Sequence, residues 1–192
     1  MSSAPLKNDD KPLSPINKII REIAVSSFNE FTGCEGKVEG VDRQDDFVYG
    51  FLMTIILTHC DSFDSMFKVH FSVKDAVSIT KEATGLDEED VSEEEAVDFI
   101  KEYTNMFAGH FVGDLAQRGI RADISIPVTT SGFDEVTFTD TFYDDEDRDY
   151  WKLSYGNHGM VVTTNTKVKD VSIFSDLEKE VLRQKSKPVT FL

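Results

Sequence analysis

Apolar residues recur at helical spacing in three stretches of the chain. The pattern predicts helices over residues 14–31, 73–84 and 92–118. Ser14 and Pro15 suit an N-cap and a first helical position. Ser92 with Glu95 has the spacing of a capping box, which predicts where the longest helix begins.

Other stretches have the composition or the alternation of β-strands. They cover residues 36–42, 47–58, 66–72, 122–128 and 136–142, and a hairpin formed by 151–155 and 160–167. The stretch 47–58 is apolar on both faces, so we expect it to lie centrally in a sheet. Pro127 favours an edge position for 122–128, residues 144–149 form an acidic turn, and the tail from Ser175 predicts one more helix. The fold class predicted is α+β, with a largely antiparallel sheet of about six strands packed by long helices.

Charge narrows the range of partners. The chain has 36 acidic and 20 basic residues, a net charge of −16. That balance argues against nucleic acid and against an anionic membrane surface, which both attract basic residues. The longest apolar run, Phe51 to Leu57, is too short to span a bilayer. The first 15 residues have no apolar core of a secretory signal, and two cysteines cannot form a disulfide framework, so we expect a cytoplasmic protein.

The long helix presents two contrasting faces. At 100° per residue, its core face consists of Val97, Ile100, Thr104, Phe107, Phe111 and Leu115. On the opposite side, Asp98, Glu102, Asn105 and Gly109 fall within about 60° of one another. A glycine inside a helix costs about 1 kcal/mol relative to alanine, and one reason to retain it is the close approach of another backbone. The strip therefore predicts a docking surface, although a polar helix face is more often only solvated.

Other candidate chemistry is weaker. His59, Cys60 and Asp61 are adjacent, but two possible ligands on one side of a strand make a poor metal site. His110 and Asp114 stand four residues apart and could form a hydrogen bond with a structural role. The aspartates from Asp145 to Asp149 resemble the start of a calcium loop, but the glycine and glutamate that such a loop needs are missing. We predict no metal site and no cofactor bound by the chain itself.

The segment E-Y-T-N-M-F-A-G-H, residues 102–110, resembles the signature helix of the CheC-like family of chemotaxis phosphatases. That signature is Asp or Ser, three residues, Glu, two residues, Asn, and a later proline. Asp98, Glu102 and Asn105 fit it, while Pro127 follows Asn105 with 21 residues between, one fewer than the usual spacing. CheC proteins usually carry two copies of the motif, and this chain has one, so it is more similar to the CheX type.

The resemblance covers residues 14–168 and implies a CheC-like fold, a homodimer and three regions. These are a flexible N-terminal arm (1–13), a CheX-like phosphatase domain (14–170) and a C-terminal extension (171–192). The implied activity is dephosphorylation of the phospho-aspartate of a CheY-like response regulator, in chemotaxis or related two-component signalling. Asn105 would orient the attacking water, Glu102 would pair with a lysine of the regulator, and Asp98 and Gly109 would contact that partner. The regulator would supply Mg²⁺.

Two other functions remain open at this stage. The chain could bind a receiver domain as an adaptor without hydrolysing anything. It could also act, as CheC does, with a CheD-type deamidase, and the missing second motif does not exclude this.

Overall fold

The computed structural model describes residues 13–40, 52–87, 90–131, 147–173 and 177. The helices are α1 (Pro15–Thr32), α2 (Val73–Thr84) and α3 (Glu93–Gln117). The strands are β1 (Lys37–Glu39), β2 (Leu52–His59), β3 (Phe63–Phe71), β4 (Asp123–Ile124), β5 (Val128–Ser131), β6 (Asp147–Tyr155) and β7 (His158–Val168). The predicted strand 136–142 and the predicted C-terminal helix lie outside these ranges, Leu177 excepted.

Local chemistry at the ends of the helices confirms all three helix predictions. The Ser14 hydroxyl accepts a hydrogen bond from the Asn17 backbone N–H at 3.3 Å, and Pro15 opens α1. Gly33 and Gly85 adopt left-handed φ values of 68° and 72° after α1 and α2. A residue with a Cβ is strained there, so glycine lets the chain leave each helix sharply.

The strands form one sheet in which every described pair is antiparallel. Its order is β1-β6-β7-β3-β2, and both β4 and β5 pair with the free side of β2. The α+β prediction with an antiparallel sheet is confirmed. β2 is an interior strand, paired with β3 on one side and with β4 and β5 on the other, although β7 and β3 occupy the two middle positions. On the face of β2 away from the core, Leu57 is exposed.

The stretch 122–128 is two short strands, not one continuous strand. Ile124 pairs with Thr58, and Val128 pairs with Ile55. Three residues, 125–127, therefore stand opposite two on β2, which defines a β-bulge. The edge position predicted from Pro127 is confirmed.

The prediction of an acidic turn over residues 144–149 is wrong for residues 147–149, which form the start of β6. Asp149 is buried and forms a bidentate ion pair with Arg21 of α1, with contacts of 2.5 and 2.7 Å. The guanidinium also lies 5.2 Å from the centre of the Trp151 ring. The sequence alone suggests that this carboxylate is exposed to water. In the fold it joins α1 to the sheet, because its charge is paired with Arg21, a basic residue 128 positions away.

Helices α1 and α3 pack on the same face of the sheet and enclose the core. The aromatic side chains of α3 contact β3: Phe67 lies 5.1 Å from Phe107 and 5.3 Å from Phe111, measured between ring centroids. Ile173 and Leu177, within the region that the sequence assigns to an extension, are also buried in this core.

The Arg21–Asp149 pair generates a stability prediction. Replacing Arg21 with Met keeps the bulk over Trp151 but leaves the buried Asp149 carboxylate without its cation. We expect a loss of about 3 kcal/mol in the free energy of unfolding, measured by urea denaturation, since breaking one side of a buried pair typically costs about 3–5 kcal/mol and Arg21 keeps some exposure.

Lys169→Met is the matched control, because its ion pair with Asp64 is much more exposed. That change should cost less than about 1 kcal/mol. Equal effects of the two substitutions would contradict the role given to Asp149.

Candidate functional site

Helix α3 begins with the predicted capping box. The Ser92 backbone N–H donates to Glu95 Oε2 at 3.0 Å, and the Glu95 N–H donates to the Ser92 hydroxyl at 3.2 Å. Hydrogen bonds from the Ser92 side chain and backbone lower the pKa of Glu95. The negative first turn also suits the positive end of the helix dipole. The start of the helix is therefore fixed by local sequence.

The inner face of α3 is the one predicted. Ile100, Thr104, Phe107, Phe111 and Leu115 are fully buried, and Val97 is partly buried against them. Since this face is committed to the core, the opposite side must face outward.

The outer face carries the four predicted site residues together. Asp98, Glu102 and Gly109 are exposed, and Asn105 is half-buried. None of the side chains of Asp98, Glu102 and Asn105 forms a hydrogen bond or an ion pair with the described part of the chain. We call these four residues the motif strip.

Neighbouring polar residues of α3 behave differently, because they have partners within the fold. The Tyr103 hydroxyl donates to the Ala24 carbonyl at 3.0 Å, and the Thr104 hydroxyl donates to the Ile100 carbonyl at 2.8 Å. His110 and Asp114, whose spacing would allow a hydrogen bond, each have another partner. The Ser27 hydroxyl lies 2.8 Å from His110 Nδ1. Asp114 forms an ion pair with Arg118, the residue that follows the end of α3.

The like charges of Asp98 and Glu102 in the motif strip destabilise the helix. Asp98 and Glu102 stand four residues apart, and like charges at that spacing destabilise a helix by about 0.2–0.5 kcal/mol. Six acidic residues and one lysine occur along α3. The dipole favours the three acids of the first turn, but Asp98 and Glu102 lie beyond it. Their carboxylates have no cationic partner in the described part of the chain.

No steric constraint in the described part of the chain requires a glycine at position 109. A Cβ built at Gly109 would meet no atom within 4 Å, and the same holds for Gly113. Its backbone is also outside the positive-φ region that requires glycine. Alanine would fit at this position and would favour the helix. The gap in the strip thus exposes backbone on a surface that a partner can approach.

Pro127, the last element of the signature, lies in the β-bulge beside β2, at the edge of the sheet where α3 packs against β2 and β4. The residue before it, Ile126, is 81% exposed, and Ile124 and Val128 are exposed as well. This apolar edge was not predicted, because alternation suggested a half-buried strand. The signal available was Pro127 itself, since bulges and edges are where a sheet tolerates proline.

Metal and membrane features complete the description of the surface. His59 Nδ1 lies 2.5 Å from Asp64 Oδ1, and Lys169 binds the same carboxylate, so this histidine belongs to an ion-pair cluster. Across the described ranges, no three His, Cys, Asp or Glu side chains are grouped so that they could hold a metal ion. None of the described helices has the length and apolar character to cross a membrane.

Comparison with known proteins shows what the chain is similar to. The family model of the chemotaxis phosphatase CheX matches residues 53–141, which include the motif strip and Pro127. No curated protein matches the chain. The fold is CheC-like: a CheC-like superfamily protein from Shewanella sp. PV-4 superposes with a TM-score of 0.59 at 16% identity, covering 80% of this chain and 97% of that one.

Within that class, the resemblance to CheX is confirmed. The structure of CheX from Vibrio vulnificus aligns with a TM-score of 0.62 at 17% identity, over 79% of this chain and 99% of that one. The CheX of a CheX–CheY–BeF3–Mg²⁺ complex from Borrelia burgdorferi aligns with a TM-score of 0.55 at 14% identity, over 81% and 98% of the two chains.

Proposed function

We propose that this protein is a phosphatase that hydrolyses the phospho-aspartate of a CheY-like response regulator in chemotaxis or a related two-component pathway. The observation that carries the proposal is the motif strip: Asp98, Glu102 and Asn105 share one outer face of α3 and have no side-chain partner in the described fold. The match to the CheX family model over the same residues supports it, and so does a CheX of similar fold in complex with CheY.

Asn105 is the residue that we assign to the reaction. A side-chain amide both donates and accepts hydrogen bonds, so it can hold a water molecule in a defined orientation. That water would attack the phosphorus in line with the bond to the aspartate. The bond between phosphorus and the aspartate oxygen breaks, and inorganic phosphate and a free carboxylate are released. Catalysis of this kind consists mainly of positioning, because the transition state needs little covalent help from the protein.

The acidic residues are assigned to docking. Glu102 would pair with a lysine of the receiver, and Asp98, one turn earlier, would extend the same contact. Mg²⁺ is expected from the receiver, where it neutralises charge on the phosphoryl oxygens.

The first test is phosphate release from a phosphorylated cognate receiver. Wild-type protein should accelerate it, and Asn105→Ala should lose about 10²–10⁴-fold, the usual contribution of a positioned proton-handling group. Glu102→Ala should also weaken binding of the receiver, measured by fluorescence anisotropy.

The control for this test is Gln117→Ala, which truncates an exposed polar side chain at the C-terminal end of the same helix and should keep full activity. If wild-type protein binds the receiver but leaves the lifetime of its phosphate unchanged, the protein is an adaptor. Capture of a CheD-type deamidase with no binding of a receiver would support the remaining alternative.

The second test replaces Gly109 with alanine and distinguishes an effect on folding from an effect on docking. Gly109→Ala should raise the free energy of unfolding by about 1 kcal/mol, because alanine favours a helix and the site has room for a methyl group. The same substitution should weaken receiver binding, because the methyl group keeps the partner's backbone away.

Gly113→Ala is the matched control, equally unobstructed and one turn further from Asn105. It should stabilise the helix similarly and keep receiver binding. Unchanged binding in Gly109→Ala would remove Gly109 from the docking surface.

We also propose that the protein is a homodimer. The exposed apolar side chains of Ile124, Ile126 and Val128 along one edge of the sheet support an association there, because a partner would remove them from water. Light scattering should give twice the mass of the chain, and Ile126→Asp should yield monomers. Val171→Asp, at a similarly exposed apolar residue after β7, is the control and should leave the dimer intact. A monomeric wild-type protein would refute the proposal.

A further inference from the structure

We propose that α1 sets the rotation of α3 about its axis, with Tyr103 and the Ser27–His110 pair as positioning residues for Asn105. This inference rests on the proposed phosphatase function and assigns residues that the signature does not contain. Two polar contacts between α1 and α3 carry it, one on each side of Asn105 along the helix.

The first contact lies between Glu102 and Asn105 in sequence. Tyr103 is buried, and its hydroxyl donates to the Ala24 carbonyl of α1 at 3.0 Å. Its ring is held at the same time by an edge-on contact with Phe28 of α1, 5.7 Å between centroids, and by a stacked contact with Phe107. A hydrogen bond requires near-linear geometry, so this contact fixes direction as well as distance.

The second contact lies two turns further along α3. The hydroxyl of Ser27, a fully buried residue of α1, forms a hydrogen bond of 2.8 Å with Nδ1 of the exposed His110. Seven residues separate Tyr103 from His110, which places both on the same side of α3 and about 10 Å apart along its axis. Asn105 and Gly109 lie between them.

Rotation is the motion to which the motif strip is most sensitive. Side chains of a helix end about 5–6 Å from its axis, so a rotation of about 15° moves them by about 1.5 Å. A displacement of about 1 Å can reduce a catalysed rate by about 10²-fold. Apolar packing is less directional than hydrogen bonding, so two polar contacts on one side of α3 are suited to holding Asn105 in its setting.

A purely structural explanation is that a buried phenol simply needs an acceptor. The two explanations differ in what they predict for Asn105. A positioning residue acts through Asn105, so its effect on the rate should disappear when Asn105 is replaced. A structural residue should reduce the amount of folded protein in either background.

The experiment compares Tyr103→Phe, Ser27→Ala and the double variant with wild type, each with and without Asn105→Ala. The control is Tyr150→Phe, which removes a phenol from β6, outside both helices. Two quantities are measured: kcat for phosphate release from the phosphorylated receiver, and Kd for the receiver loaded with beryllofluoride. Urea denaturation gives the folded fraction of each variant.

We expect the double variant to lower kcat about ten-fold, a misplacement smaller than the 1 Å case, while Kd changes little. In the Asn105→Ala background the same changes should have no further effect. If kcat stays constant, or falls only with the folded fraction, the positioning role is refuted while the phosphatase proposal stands. If wild-type protein does not accelerate phosphate release but the receiver binds, both proposals fail.

Discussion

The contact of Phe67 with Phe107 and Phe111 is the constraint on which the rest of the structure depends. These rings join the middle of α3 to a central strand of the sheet, with centroid separations of 5.1 and 5.3 Å. Since buried aromatic side chains contribute much of the apolar surface of a core, this contact decides which side of α3 faces inward. The outward position of Glu102 and Asn105 follows from it without any contact of their own.

That arrangement places different constraints on the two sides of the helix. The inner side of α3 can change only with compensation in β3, because protein cores are closely packed. Residues of the motif strip are under no such constraint in the described fold, and two of them repel each other. A helix that keeps an acidic pair and a sterically unneeded glycine on its surface sacrifices some stability, which is a common feature of functional surfaces.

The sequence was sufficient to predict what depends on local pattern. The helix ends at Ser14 and Ser92, the inner face of α3 and the antiparallel hairpin of β6 and β7 all follow from capping residues and periodicity. It could not predict relations set by distant residues. Asp149 looks solvated until Arg21 is placed beside it, and His110 looks paired with Asp114 until Ser27 is placed closer. The position of β2 near the edge depends on how the strands are ordered, which apolar content alone does not determine.

The anchoring of α1 to β6 has a consequence for biosynthesis. Asn17 and Arg21 find their partners 130 and 128 residues later in the chain. At about 5–20 residues per second, roughly 6–26 s pass between the synthesis of α1 and that of its carboxylate partners. During that time β2, β3 and α3 are also synthesised, so α1 can already pack against α3. The polar contacts of α1 with β6 therefore form only after α2 and α3 have been synthesised.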